Sequence, residues 1–314
     1  MEIKEIIPGL IRITLFVPYP GFEEFINAWL INDNKRNRTV LVETGPTVSA
    51  VPLVEDIRSL GIGRIDYLLY THIHIDHAGG AGNFSKIHPE TKFIVPAKGR
   101  AHLIDPEKLI IGSRENLGAL CDIYGMPEPL NAAALAPLDL DLDGLSVIDT
   151  PGHSPHHSSY VYDLDGTKIL FAGEAAGCYF KLNDGSVFMH PATPHKFYYE
   201  TAMESIDRLM RLKDTDIICY PHFGCSRDVN GELASAKKQM ALWMDIISAM
   251  PEGSKAEEAV EALLKSDPML QNRNGLDSEE RNRDYFFLCQ SADGYLGYIN
   301  RKNAHWETTN VFNN

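Results

Sequence analysis

Four side chains capable of binding metal fall within six residues of one stretch, residues 71–80. His72 and His74 are two residues apart and can point the same way at the end of an extended segment. Asp76 and His77 come after the chain turns, so they can face a second point in space. Imidazole and carboxylate groups suit zinc, and also iron or manganese. The stretch therefore predicts two partly built metal sites within one loop.

The neighbouring residues indicate which elements position this loop. The apolar run of residues 65–70 predicts a buried strand that leads into it, and the small residues from Ala78 on predict a helix or turn. Three later segments repeat the pattern of a strand that ends in polar residues. A polar loop with unrelated histidines would not explain this recurrence. The metal-capable groups at those later strand ends are His153, Glu174 and His222.

The string His72-x-His74-x-Asp76-His77, followed by a glycine pair, resembles the signature of the metallo-β-lactamase-fold hydrolases. Later segments resemble other elements of that family in the same order. They are Val40–Gly45, Thr150–His153, Gly173–Glu174 and the last strand, which ends at His222. The resemblance implies an α+β fold, a four-layer αββα sandwich with metals at one edge of its two sheets.

The resemblance also implies a binuclear centre that holds two divalent metal ions, zinc first, with iron or manganese as alternatives. The two ions would share a hydroxide as nucleophile, with the pKa of water lowered to about 7. Asp76 would orient this nucleophile and pass its proton to the leaving group. The implied ligands are His72, His74 and His153 for one ion, Asp76, His77 and His222 for the other, and Glu174 as the bridge.

Two acidic residues depart from the family pattern and leave alternatives open. Glu43 stands where the family often has aspartate, so it is either an outer group near the metals or an ordinary strand-end carboxylate. Glu174 replaces the usual bridging aspartate and is longer by one methylene. It either bridges both ions or acts as a base beside a single tightly held metal.

Three further residues near these elements, His157, Tyr179 and His195, are candidates for the site or its surroundings. The family places a structural histidine at the position of His157, and His156 has no assigned role. Tyr179 lies five residues after Glu174, whereas related lactonases often carry a tyrosine sooner. His195 is either a polar pocket wall or exposed to solvent.

The domain organisation follows from a change in character near residue 230. Residues 1–229 are predicted as the metallo-β-lactamase-like domain, with a helical insert at about 99–130 that is either a lid or a surface excursion. Residues 230–314 are predicted as an all-α appendage that packs on the core, because no low-complexity linker precedes it. The continuous apolar stripe of Glu232–Met250 must be covered, and packing on the appendage's own core or in a dimer is the alternative.

Composition bounds the partners and the compartment. The net charge of −14 over 314 residues argues against tracking a nucleic-acid backbone. No apolar run reaches membrane-spanning length, and the charged N-terminus lacks a signal-peptide core. Five scattered cysteines predict free thiols. We expect a cytoplasmic protein with a small-molecule substrate, no nucleic-acid or membrane partner, and a homodimer as an open alternative.

The predicted function is a metal-dependent hydrolase that acts on a small ester, lactone, thioester or phosphodiester. The alternative is a non-hydrolytic protein of the same fold, either a mononuclear iron oxygenase or a metal-bearing regulatory protein. Metal content separates the two, because a hydrolase of this kind would hold about two ions and the oxygenase one iron.

Overall fold

A computed structural model describes residues 2–182 and 184–311, with side chains through residue 303. The chain divides into two compact units. The first contains the residues through Asp149, with Pro155–Gly173 and Lys213–Val229. The second contains Thr150–Ser154, Glu174–Leu212 and the residues from Asn230 on. The predicted boundary at residue 229 stays a prediction, and residues 312–314 of the predicted appendage lie outside the described residues.

A six-stranded sheet forms one side of the first unit. Its first four strands are antiparallel and its last three run parallel, in the order β1-β2-β3-β4-β5-β6. The strands are β1 (Ile3–Ile7), β2 (Leu10–Thr14), β3 (Asn27–Asp33), β4 (Arg38–Val42), β5 (Tyr67–Leu69) and β6 (Lys92–Ile94).

A five-stranded sheet of order β13-β12-β9-β8-β7 forms the other side. Side chains of both sheets share one core, in which Trp29 and Val42 from the first sheet join Tyr160 and Phe171 from the second. The strands are β7 (Leu145–Asp149), β8 (Ser158–Leu164), β9 (Thr167–Phe171), β12 (Ile217–Tyr220) and β13 (Gly224–Ser226).

Six α-helices complete the first unit, and three of them make up the predicted insert, where Pro106 and Gly118 separate them. Short 3₁₀ turns occur at Thr47–Ser49, Ala97–Gly99 and Ala132–Ala134. The helices are α1 (Ala50–Ser59), α2 (Ile75–Ala78), α3 (Ala81–Ile87), α4 (Arg100–Ile104), α5 (Glu107–Leu117) and α6 (Ala119–Tyr124).

The second unit combines one hairpin with helices. A buried polar group organises it, because Asp267 accepts hydrogen bonds from Gln239 Nε2 at 2.7 Å and Trp243 Nε1 at 2.8 Å. The elements are β10 (Cys178–Lys181), β11 (Val187–His190), α7 (Tyr199–Met210), α8 (Val229–Ser248), α9 (Ala256–Ser266), a 3₁₀ helix (Pro268–Gly275) and α10 (Ser278–Val311). The predicted α+β class with a helical C-terminal region is confirmed. Among the described residues, no helix is long and apolar enough to cross a bilayer.

Two local predictions were wrong. The sequence of Leu138–Val147, with Asp143-Gly144 as a turn, predicts a hairpin. In the structure residues 138–142 form no strand, and β7 pairs with β8 instead. The alternating leucines and aspartates resemble the periodicity of a strand. Leu138 is nevertheless 67% exposed, so its side chain is not buried against a sheet. The aromatic stretch of residues 178–190 is predicted from sequence to be loop-like. In the structure it forms the β10–β11 hairpin, whose facing Phe180 and Phe188 rings stack at 4.4 Å.

Candidate metal centre

The histidines of the first motif converge where β5 ends. The ring of His72 lies 4.6 Å from that of His74 and 4.2 Å from that of His77, measured between centroids. Asp76 and His77 lie on the short helix α2, so the turn that the sequence predicts is helical. Gly79 permits this tight turn, because a Cβ there would lie 2.3 Å from the carbonyl oxygen of Ile75.

One carboxylate lies between two imidazoles. Asp76 Oδ2 is 3.3 Å from His77 Nε2 and 3.6 Å from His222 Nε2. Two donors that each lie about 2.1 Å from one tetrahedral ion are about 3.4 Å apart. These three side chains therefore have the spacing of ligands around a single metal ion.

His222 reaches this point from the loop after β12. Its backbone bridges to Ile26, and the amide of Asn27 donates to the carbonyl of Pro221 at 2.8 Å. The ring of Phe25 stacks on the His222 imidazole at 4.4 Å. Contacts with the start of β3 thus fix both the backbone and the ring of His222.

A hydrogen-bonded chain sets the tautomer of His72. The buried Glu43 carboxylate accepts from the amide of Thr71 at 3.0 Å and from its hydroxyl at 2.6 Å. The Thr71 hydroxyl lies 3.0 Å from His72 Nδ1. Because this hydroxyl donates its only hydrogen in the bond to Glu43, it accepts the hydrogen bond from His72 Nδ1–H. His72 then presents Nε2 as the nitrogen that could bind a metal ion.

Burial of Glu43 is the largest influence on its charge and raises the pKa of the carboxyl group. The nearby Asp76 charge acts in the same direction, while His77 and the hydrogen bonds from Thr71 lower the pKa. Glu43 also has a left-handed backbone at φ +66°, which is uncommon for a residue with a side chain. Phe223, directly after His222, has φ +44°. Such backbones concentrate at functional sites.

The second unit brings His153 and Glu174 together. His153 Nε2 lies 2.9 Å from Glu174 Oε2, and both side chains are buried. His153 Nδ1 lies 3.0 Å from the carbonyl oxygen of Ala192, so Nδ1 carries the proton and Nε2 faces the carboxylate. The Cys178 thiol donates to Glu174 Oε1 at 3.7 Å. At 2.9 Å, His153 Nε2 and Glu174 Oε2 are close enough to be ligands of one ion, although they lie closer together than the roughly 3.4 Å between tetrahedral ligands.

His157 is buried and its ring lies 5.1 Å from that of His72. Gly173 makes room for it, since a Cβ at that position would lie 2.3 Å from His157 Nε2. Gly173 also has a left-handed φ of +56°. His156, which has no role from sequence, lies with its ring 5.9 Å from that of His74.

The two outer candidates of the second unit differ in exposure. Tyr179 is buried on β10, opposite Met189. The side chain of His195 is 61% exposed, and its Nδ1 lies 2.9 Å from Asp293 on α10. An exposed ion pair of this kind contributes little to stability.

Sequence reasoning missed three residues that contact the candidate ligands. Thr71 lies inside the motif, and its position directly before His72 could have indicated its role. Phe25 and Cys178 carried no comparable signal, because an isolated aromatic residue or thiol usually belongs to a core.

The donors fit transition metals. They combine imidazoles with carboxylates, which suits zinc and also iron or manganese. Two of the histidines, His72 and His153, have Nδ1 bonded to an oxygen acceptor and Nε2 directed elsewhere, as ligating histidines do.

Comparison with known proteins gives matches over much of the chain. Residues 21–222 match the family model described as the Metallo-beta-lactamase superfamily. A metallo-beta-lactamase fold-containing protein from Sulfurisphaera tokodaii is 30% identical over 196 residues, which are 59% of this chain and 69% of that protein. A hydroxyacylglutathione hydrolase from Albidiferax ferrireducens is 30% identical over 66% of this chain and 65% of its own length. One from Pectobacterium carotovorum is 27% identical over 84% of this chain and 83% of its own length.

Solved structures show the same fold. A metallo-beta-lactamase family protein from Thermus thermophilus superposes with a TM-score of 0.63 at 22% identity and covers 96% of each chain. An archaeal superfamily protein from Sulfolobus tokodaii gives a TM-score of 0.57 at 24% identity, over 85% of this chain and 99% of that one. The predicted metallo-β-lactamase-like sandwich is confirmed.

Proposed function

Because the chain belongs to the metallo-beta-lactamase superfamily, we propose that it is a metal-dependent hydrolase that cleaves a small ester, lactone, thioester or phosphodiester. The observation that carries the proposal is the position of Asp76 Oδ2 between His77 Nε2 and His222 Nε2, at 3.3 Å and 3.6 Å. This position supports two roles for the Asp76 carboxylate, as a ligand of a metal ion and as the group that transfers protons during hydrolysis.

We assign the metal ligands as a binuclear set, with zinc as the first candidate and iron or manganese as alternatives. All of these residues lie within the stretch that matches the family, residues 21–222. His72, His74 and His153 would hold one ion, Asp76, His77 and His222 the other, and Glu174 would contribute to both.

Ions bound there would supply the Lewis acidity that polarises a substrate oxygen and lowers the pKa of water to about 7. The protein provides position and proton transfer. Asp76, which is partly exposed, accepts the proton of the attacking water at its carboxylate and delivers it to the leaving group. Thr71 and the carbonyl of Ala192 hold two histidines in the tautomer that presents Nε2. Since ligating histidines must be neutral, activity should decline in acid.

Among the four bond types that the sequence leaves open, we propose the thioester as the first to test. Two of the relatives described above are named hydroxyacylglutathione hydrolase, at 30% and 27% identity. Esters, lactones and phosphodiesters remain in the panel. The small-molecule partner, the cytoplasmic location and the homodimer stay predictions.

The test is metal analysis of the full-length protein as purified, together with a substrate panel on the zinc-loaded protein. We expect about two ions per chain, since each ion has its own proposed ligand set. We expect the fastest turnover on a thioester, because two relatives are named hydroxyacylglutathione hydrolase. His222→Ala should lose one ion, whereas the control His102→Ala, on α4, should retain both. A single iron per chain with no hydrolysis of any substrate would favour the oxygenase and contradict the proposal.

A further inference from the structure

Two cysteines face each other across the hairpin whose tip carries His222. Cys219 on β12 pairs with Cys225 on β13 in antiparallel register, and the next pair is Tyr220 with Gly224. Cys219 is buried in the core between the sheets, and Cys225 packs against the same core while keeping partial exposure. Both thiols therefore point to one face of the hairpin.

The spacing of this pair suits a covalent bond. Residues directly opposite in an antiparallel ladder have Cβ atoms about 4.5–5.5 Å apart. A disulfide needs about 3.5–4.5 Å between Cβ atoms. Closure therefore requires a movement of about 1 Å, which a three-residue tip can absorb.

The thiols already interact in the reduced protein. Burial raises the pKa of the Cys219 thiol well above its ordinary value, and a hydrogen bond between its thiol and that of Cys225 raises it further. Cys219 is thus a poor nucleophile alone, while the half-buried Cys225 is the one that a solute reaches first.

We propose that Cys219 and Cys225 form a reversible disulfide, a modification site that clamps the hairpin around His222. The link between the clamp and metal binding rests on the proposed role of His222 as a ligand. The disulfide itself does not depend on that role.

A low-molecular-weight disulfide such as oxidised glutathione serves as the oxidant. The Cys225 thiolate attacks one of its sulfurs, which forms a mixed disulfide and releases one small thiolate. Cys219 then gives up its proton to solvent and attacks the Cys225 sulfur, which releases the second small thiol. Two protein sulfurs are oxidised by two electrons in total, and the small disulfide is reduced to two thiols.

Closure acts on His222 because the two cysteines are the third residues before and after it. The imidazole is already fixed by the Phe25 stack and by the bridge to Ile26. Drawing the strands together below the tip would strain these contacts and change the position of the ring relative to Asp76. We expect the oxidised protein to bind zinc more weakly at this ligand set.

The test treats reduced full-length protein with oxidised glutathione and counts thiols after denaturation. The five thiols of the wild type should fall to three. The peptide of residues 214–227, which contains both cysteines, should lose about 2 Da, the mass of two hydrogens. Cys225→Ser should keep its four thiols, and the matched control Cys289→Ser, also half-buried, should fall from four to two. Zinc affinity, measured by chelator competition, should fall about tenfold on oxidation of the wild type and stay unchanged in Cys225→Ser.

The outcomes are distinct. Five thiols that persist in the wild type, or glutathione retained on Cys225, would overturn the proposed disulfide. A disulfide with unchanged zinc affinity would overturn the clamp on His222. Reduced protein that binds no metal would overturn the proposed function, while the thiol count would still decide the modification site.

Discussion

The acidic residues at the two ends of the sheet sandwich have different kinds of neighbouring side chain. Strand β3 runs between them, from Asn27 beside the His222 loop to Asp33 at the far end. At the far end, Asp33 accepts from Tyr162 Oη at 2.7 Å and pairs with Arg36 at 2.9 Å. At the near end, Asp76 lies against His77 and His222.

The pKa directions differ between the ends accordingly. Burial would raise the pKa of Asp33, but the hydrogen bond from Tyr162 and the contacts with Arg36 outweigh it and lower the pKa. Burial raises the pKa of Glu43, and the Asp76 charge adds to it. At the far end, the chain thus supplies its own cation, the guanidinium group of Arg36. Carboxylates and imidazoles at the near end favour a cation that binds from solution.

The largest expected effect is that of Asp76→Asn, which keeps the size of the side chain but removes its charge. Hydrolytic turnover should fall by about two to four orders of magnitude, as for loss of a general acid–base group. The far-end control is Asp143→Asn, where an exposed partner of Arg36 is changed in the same way. Steady-state kinetics on the thioester substrate measure both. Near-wild-type turnover of Asp76→Asn would remove Asp76 from the mechanism and erase the contrast between the ends.

The contrast also shows which contacts the sequence can predict. Metal-capable residue types at fixed spacing carry their own signal, so the histidine loop was recognisable from residues 71–80 alone. Contacts between distant segments carry none. The Tyr162–Asp33 bond joins residues 129 apart, and the Phe25 stack on His222 depends on how β3 meets β12.

Hydrophobic periodicity predicts structure less well than the histidine motif does, because its outcome depends on contacts between distant segments. The alternation of Leu138 to Leu142 resembles that of a strand. Whether a strand forms depends on its position in a sheet and on the neighbouring strands that pair with it. In contrast, the aromatic residues of β10 and β11 found cross-strand partners and formed a hairpin where loops were expected.

A smaller effect should follow from Thr71→Val, which removes the hydroxyl between Glu43 and His72 and nearly preserves shape. His72 then loses the group that sets its tautomer, so zinc affinity should weaken by about 10- to 100-fold. Thr39→Val, a buried threonine on β4, is the matched control. Chelator competition measures both variants, with circular dichroism to check folding. Equal affinity in the two variants would show that Glu43 and Thr71 do not act on the metal ligand.

The smallest effect on activity should come from Asp33→Asn at the far end, which should change stability instead. The free energy of unfolding at pH 7 should fall by about 1–3 kcal/mol, because hydrogen bonds to a charged group are lost. Since the folded pKa of Asp33 lies below its ordinary value of 3.8, its contribution is present above that value and is lost as the pH falls through the folded pKa.

The difference between wild type and Asp33→Asn should therefore be largest at neutral pH and shrink below about pH 4. Urea unfolding of both proteins at pH 7 and pH 3, after metal removal by a chelator, measures it without interference from metal loss in acid. Turnover of the metal-loaded variant should match the wild type at pH 7. A constant stability difference at both pH values would mean that Asp33 acts by packing and not by its charge. The far end would then no longer differ from the near end in its electrostatics.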